Sequence, residues 1–247
     1  TSTLTPAQLE GWGWRIPFLF GLLIGPVGMY IRRHVDETPE FERTERSASP
    51  IREVMATQKE RVLVCIGSLV LTTTANYMLL YMPTYASRQL GLAPSYGFIA
   101  TLAAGFIVMV LTPVVGHWSD KVGRTRIMLG AGSVFFVTIY PAFMFMNAHP
   151  SLLTLLAAII WVAVLKAIYF APIPALMSDL FPVRTRTTGM AVGYNVGTTV
   201  FGGFTPLAVA SLIAVTGNNL APGLYLMLAA IISLFTLLWA RTRLKVH

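Results

Sequence analysis

Seven stretches of about 20 predominantly apolar residues dominate this sequence, the length a helix needs to cross a hydrocarbon core of roughly 30 Å. They run over residues 14–31, 62–82, 95–115, 127–146, 152–176, 188–214 and 220–240. Several contain Gly and Pro, which membrane helices accept because neighbouring groups satisfy the freed backbone. The composition agrees, with 55% hydrophobic and 11% charged residues. A mean hydropathy of +0.67 over 247 residues leaves a soluble domain far more apolar surface than it could bury. The expected class is an all-α polytopic membrane protein with seven transmembrane helices.

The basic residues order these spans. Fifteen of the eighteen lie in segments 32–61, 117–126, 179–187 and 241–247, leaving Arg15, Arg88 and Lys166 elsewhere. By the positive-inside rule these segments are cytoplasmic, with the N-terminus outside and the C-terminus inside. The net charge of +8 is therefore a topology signal and gives no argument for nucleic acid. Cys65 is the single cysteine, so no intrachain disulfide forms, and its position within a span reads as apolar packing. The first residues carry neither an initiator Met nor the charged start of a signal peptide. The expectation is an internal cut through a longer protein.

The longest polar stretch, 32–60, holds Asp36, Glu37, Glu40, Glu42, Glu45, Glu53 and Glu60 and is broken by Ser47-Ala48-Ser49-Pro50. Beyond the break, Ile51, Val54 and Met55 recur at helical spacing among charges. That pattern predicts a short amphipathic helix on the cytoplasmic membrane surface.

Lys166 interrupts the apolar run 152–170, the one charge deep inside any of the long hydrophobic segments. A charge at the bilayer centre costs about 2.5–3.5 kcal/mol on insertion scales and persists where it faces a cavity or a partner. A lone intramembrane cation points to an anionic solute.

After the third run comes Gly116-His117-Trp118-Ser119-Asp120-Lys121-Val122-Gly123-Arg124-Thr125-Arg126. It resembles the loop signature of the major facilitator superfamily, G-x-x-x-D-[RK]-x-G-R-[RK], departing only at Thr125. Asp179-Leu180-Phe181-Pro182-Val183-Arg184-Thr185-Arg186-Thr187-Thr188-Gly189 resembles a loop of that family's metabolite:proton symporter group. Trp14-Arg15-Ile16-Pro17-Phe18 with Glu37-Thr38-Pro39-Glu40-Phe41 resembles its sixth span and the loop after it, and Tyr194-Asn195 and 201–206 extend the match. Within the group the chain is most similar to the citrate and tricarballylate transporters.

The resemblance implies twelve spans in two six-span halves. Residues 1–31 would be a short outside segment and span six, 32–60 the central cytoplasmic loop, and 61–247 the six-span C-terminal half. The first five spans are then missing. It further implies proton-coupled symport of citrate or a related di- or tricarboxylate by alternating access in a bacterial inner membrane. Its partners would be an organic anion, a proton, the lipid bilayer and the missing N-terminal spans.

In that family the second and fifth segments line the central cavity. On the second, Thr73, Asn76, Tyr77 and Leu80 share a helical face, with Tyr81 one turn beyond Tyr77. On the fifth, Lys166 and Tyr169 are three apart and are expected to face the same way. The expected substrate-binding set is Lys166, Tyr169, Asn76, Tyr77, Tyr81, Tyr194 and Asn195, an ammonium with phenol and amide donors suited to a polycarboxylate. Gly116, Asp120, Lys121, Gly123, Arg124, Arg126, Asp179, Arg184 and Arg186 are expected at the cytoplasmic gate. Gly189, Gly193 and Gly197 recur every four residues, the small-residue spacing of close helix packing.

Two rivals remain. Related members carry shikimate or a zwitterionic osmolyte. A seven-span receptor or retinal protein, with Lys166 as Schiff-base amine, is allowed by span count but opposed by the loop signature. His34, His117, His149 and His247 show no metal-ligand spacing, and phosphate-binding and nucleophile motifs are absent. The expectation is no enzyme and no cofactor.

Overall fold

The computed structural model describes residues 5–22, 24–34 and 49–244, and every regular element among them is helical. The chain divides into two compact units, Thr1–Arg46 and Ser47–His247. In the first unit, α1 (Pro6–Gly11) starts at a capping box. Gln8 N–H bonds the Thr5 hydroxyl at 3.4 Å, and Thr5 N–H bonds the Gln8 side chain at 3.1 Å. A 3₁₀ turn (Gly13–Arg15), α2 (Ile16–Gly21) and α3 (Ile24–His34) follow. The first predicted span is therefore described as two shorter helices. Leu23 between them lies outside the described residues, as do 35–48 and 245–247. The acidic stretch Asp36–Glu45 and the Glu37–Phe41 match fall there.

In the second unit, α4 (Pro50–Thr57) precedes the long α5 (Lys59–Arg88), α6 (Pro94–Val122) and α7 (Arg124–Ala148). Then come α8 (Leu152–Phe170), α9 (Ile173–Leu180), α10 (Arg186–Gly197), a π-helical segment (Thr198–Gly203), α11 (Thr205–Thr216) and α12 (Ala221–Arg243). α8 with α9, and α10 with α11, each form one span, giving six long apolar spans among the described residues. The chain is an all-α polytopic membrane protein.

The spans break where the backbone chemistry says they should. Pro172 and Pro174 flank the start of α9, and each removes an N–H from the helical ladder. Gly123 alone separates α6 from α7 at φ +105°, a conformation open to glycine and strained for any side chain.

α5 is the axis of this unit. In its most apolar window 78% is buried, against 17% for α6. It packs against α6, α8, α10 and α12. On α6, Phe98, Leu102, Phe106 and Met109 form an exposed apolar stripe, suited to lipid.

Close packing on α5 relies on glycines and inserted hydroxyls. A Cβ on Gly193 would sit 2.4 Å from Cys65 Sγ, one on Gly197 3.2 Å from the Leu69 side chain, and one on Gly202 2.7 Å from the Tyr77 ring. The Gly193 and Gly197 face is thus a helix-packing face against α5, while Gly189 packs under the Phe181 ring. From α12, the Ser233 hydroxyl donates to the Gly67 carbonyl at 2.7 Å and accepts the Leu71 N–H at 2.9 Å.

The amphipathic helix α4 forms, with a division of labour that periodicity alone does not show. Val54 is fully buried against the bundle, while Ile51 and Met55 are exposed. The neighbouring Gln58 and Thr185 side chains bond each other at 3.0 and 3.1 Å, and Arg184 pairs with Glu53 at 3.3 Å. α4 is therefore docked on the loop that leads into α10.

Candidate substrate site and charge cluster

Lys166 lies in the last turns of α8, inside the bundle and 8% exposed. Its Nζ donates to Asn76 Oδ1 at 3.0 Å and stands 5.3 Å from the centre of the Phe170 ring. Helical spacing explains the second contact, because residues four apart share a face. No ion pair joins Lys166 to a carboxylate among the described residues.

These groups border a cavity of about 110 Å³ between α5, α8 and α10. Its other walls are Leu69, Thr72, Thr73, Tyr77, Tyr194 and Thr198. Thr73 donates its hydroxyl proton to the Leu69 and Val70 carbonyls at 2.9 and 3.2 Å, and Thr198 donates to the Tyr194 carbonyl at 2.5 Å. Both hydroxyls therefore meet the cavity as acceptors. The π-helical segment begins at Thr198, on the cavity wall. Such segments recur at functional sites.

Of the expected substrate-binding residues, Lys166, Asn76, Tyr77 and Tyr194 come together here. Tyr169 does not. It is fully buried, and its phenol donates to the Ser68 backbone carbonyl at 2.9 Å, close to Gly132 of α7. Three residues along a helix turn about 60° short of a full circle, enough to send Lys166 into the cavity and Tyr169 into the α5 backbone. Tyr81 packs against the apolar core away from this cavity. Asn195 bonds the Ala191 carbonyl of its own helix at 2.8 Å and borders a second, largely apolar hollow of about 320 Å³. Phe170 and Tyr194 line both hollows and so form the wall between them.

Phe170, Thr72 and Thr198 lie outside the set expected from sequence. Phe170 carries a signal, its i+4 spacing from Lys166. The two threonines carry none, because membrane helices hold many that bond only their own backbone.

At the end of the bundle where α6 turns into α7, Arg124 joins two acidic residues. It bonds Asp120 of the preceding turn at 3.0 Å through Nη2 and 3.2 Å through Nε. Its other nitrogen pairs with Asp179 of α9. Asp120 and Asp179 are more than half exposed, so the cluster works in high dielectric and adds little static stability. It links α9 to the α6–α7 turn.

Nearby, Arg61 donates to the Leu180 carbonyl at 2.5 Å and Arg186 to the Phe181 carbonyl at 3.4 Å, tying down the loop after α9. Gly123 forms the α6–α7 turn, whereas Gly116 lies within α6, about two helical turns earlier. Lys121 is exposed beside the turn, with Arg126 at the start of α7, and Arg184 instead reaches Glu53.

Residues 93–246 match the sequence profile of the Major Facilitator Superfamily. The citrate-proton symporter of Klebsiella pneumoniae is 35% identical over 238 residues, which cover 94% of this chain and 53% of that protein. The ectoine/proline transporter ProP of Corynebacterium glutamicum is 32% identical over 246 residues, covering 94% and 49%. The proline/betaine transporter of Escherichia coli (strain K12) is 30% identical over 244 residues, covering 93% and 48%. The chain thus spans about half the length of the curated relatives it matches. No solved structure matches it.

Proposed function

The chain belongs to the major facilitator superfamily, and from that premise we propose that it supplies the C-terminal part of a proton-coupled symporter for citrate or a related organic acid. Residues 1–31 are read as the sixth span, 32–60 as the central cytoplasmic loop, and 61–247 as spans seven to twelve. The membrane would be the bacterial inner membrane, with the basic end of the spans on the cytoplasmic side.

One observation supports the anionic substrate above the others. The Lys166 ammonium is buried in a polar-lined cavity within a span and is held by a neutral amide. A carboxylate there gains a charge-assisted bond in a low-dielectric setting, where such bonds are about twice as strong as neutral ones. Tyr77 and Tyr194 would complete the recognition, with Phe170 orienting the ammonium.

Alternating access would rock this half against the other around a midplane site. The Asp120–Arg124–Asp179 cluster would favour one access state by holding α9 to the α6–α7 turn. The coupling proton would travel on a substrate carboxylate or through the N-terminal spans.

The aromatic lining favours one second reading. Tyr77, Phe170 and Tyr194 could receive the quaternary ammonium of a betaine by cation–π contact while Lys166 takes its carboxylate. The test is uptake of labelled citrate and labelled glycine betaine by the full-length protein in liposomes under an inward proton gradient. Citrate uptake supports the first reading, and betaine uptake without citrate replaces it with the second.

A further inference from the structure

We propose that Asn76 is a specificity-determining residue, one whose side-chain oxygen holds the seat on Lys166 that a substrate carboxylate takes. The inference rests on the reading of Lys166 as an anion-binding group. A lysine ammonium offers three donors and no acceptor. One donor goes to Asn76 Oδ1 at 3.0 Å, and one side of the ammonium is covered by the Phe170 ring at 5.3 Å.

An amide oxygen satisfies the hydrogen bond without cancelling the charge, so the Lys166–Asn76 pair keeps a net charge of +1. The ion pairs of the described residues involve Glu53, Asp120 and Asp179, none on the cavity wall. A carboxylate arriving in the cavity replaces a charge–dipole contact with a charge–charge one, and so displaces the amide.

The released amide then has a second use. Asn76 carries two N–H donors on the same terminal group as its oxygen. Rotation about its last bond turns those donors toward the cavity, where they meet a second carboxylate or a hydroxyl of the solute. Thr72 and Thr73 stand beside Asn76 on the same wall, and Tyr194 and Thr198 come from α10 and the π segment. The identity of residue 76 therefore decides the charge class. Asparagine leaves the cation available to a carboxylate. An aspartate of the same shape would pair with Lys166 permanently and bring the site to zero net charge.

The test compares the full-length parent with Asn76→Asp and Asn76→Ala, measuring equilibrium binding of citrate and of glycine betaine. The expected result is at least a tenfold loss of citrate affinity in Asn76→Asp, with Asn76→Ala within about fivefold of the parent, because removing the oxygen that competes for Lys166 offsets the loss of the amide donors. If Asn76→Asp binds citrate as the parent does, the inference is overturned. It is also overturned if Asn76→Ala loses as much as Asn76→Asp, which would make Asn76 an ordinary substrate ligand.

A parent that binds betaine and no citrate defeats the citrate reading. The inference then stands only if Asn76→Asp loses betaine in the same way. A third arm needs no solute. Asn76→Asp should lower the melting temperature more in a Lys166→Met background than in the parent, because only the parent offers the new carboxylate a counter-charge. Equal effects in both backgrounds would break the Lys166–Asn76 link itself.

Discussion

The Tyr169 phenol donates to the Ser68 carbonyl at 2.9 Å, three residues along α8 from the point where Lys166 reaches Asn76. The two bonds zip α8 to α5 on either side of a helical turn, one to backbone and one to side chain. Tyr169 therefore supports the site without touching the cavity. Tyr169→Phe should cost about 0.5–1.5 kcal/mol of stability, the net worth of one neutral hydrogen bond. Thermal unfolding should shift down, while citrate affinity of the full-length protein stays within about threefold. A tenfold affinity loss at unchanged stability would return Tyr169 to the binding set.

Arg124 is expected to act on the balance of access states. Arg124→Ala and Asp179→Asn in the full-length protein should each lower maximal uptake rate with little change in citrate binding. Exposed pairs such as these contribute about 0–1 kcal/mol to stability, so melting temperatures should hardly move. Loss of affinity with a preserved maximal rate would place the cluster in the binding site instead.

The glycine face of α10 is expected to be sterically strict at Gly193. An alanine there puts its Cβ 2.4 Å from Cys65 Sγ, and overpacking of this kind costs about 1–3 kcal/mol. Gly193→Ala should lower thermal stability, and Cys65→Ala in the same protein should recover part of the loss. If the double variant is no better than Gly193→Ala alone, the close α5–α10 approach is not what limits the substitution.

Much of the fold is legible in the sequence, for a physical reason. Span length and the placement of Arg and Lys are set by the bilayer, so six of the apolar runs correspond to six long helices. Lys166 stands out because a charge in an apolar run needs an explanation. Asp120 and Arg124 fall together in the sequence as opposite charges around one tight turn, and their pair closes across the break at Gly123. Asp179 of α9 joins them only through tertiary packing, which no sequence spacing reveals.

The direction of Tyr169 is not legible. A spacing of three leaves its ring free to lean either way, and the backbone acceptor at Ser68 decides the matter. Tyr81 likewise shares a face with Tyr77 by spacing, yet it is half-buried against the core and does not line the cavity. The π-helical segment has a partial signal in Gly202, Gly203 and Pro206, which weaken the helix ladder next to the Tyr77 ring.

On the proposed function, residues 1–247 supply one half of a two-half site and should not transport by themselves. Residues 1–247 alone, reconstituted in liposomes with a proton gradient, should show citrate uptake no greater than empty vesicles. The full-length protein should show saturable uptake. Saturable, gradient-driven uptake by residues 1–247 would contradict the two-half account.

The proposed hold of the Lys166 ammonium on a substrate carboxylate can be read from one substitution. Lys166→Met keeps approximate length and apolar fit while removing the charge. Losing a charged hydrogen bond should cost about 1.5–3 kcal/mol, or roughly ten- to a hundredfold in affinity. The measurement is equilibrium binding of citrate to the purified full-length parent and Lys166→Met, with thermal stability followed in parallel. The expected result is that loss of affinity in a protein at least as stable as the parent. Citrate binding by Lys166→Met as tight as the parent's would contradict it and leave Lys166 a structural residue.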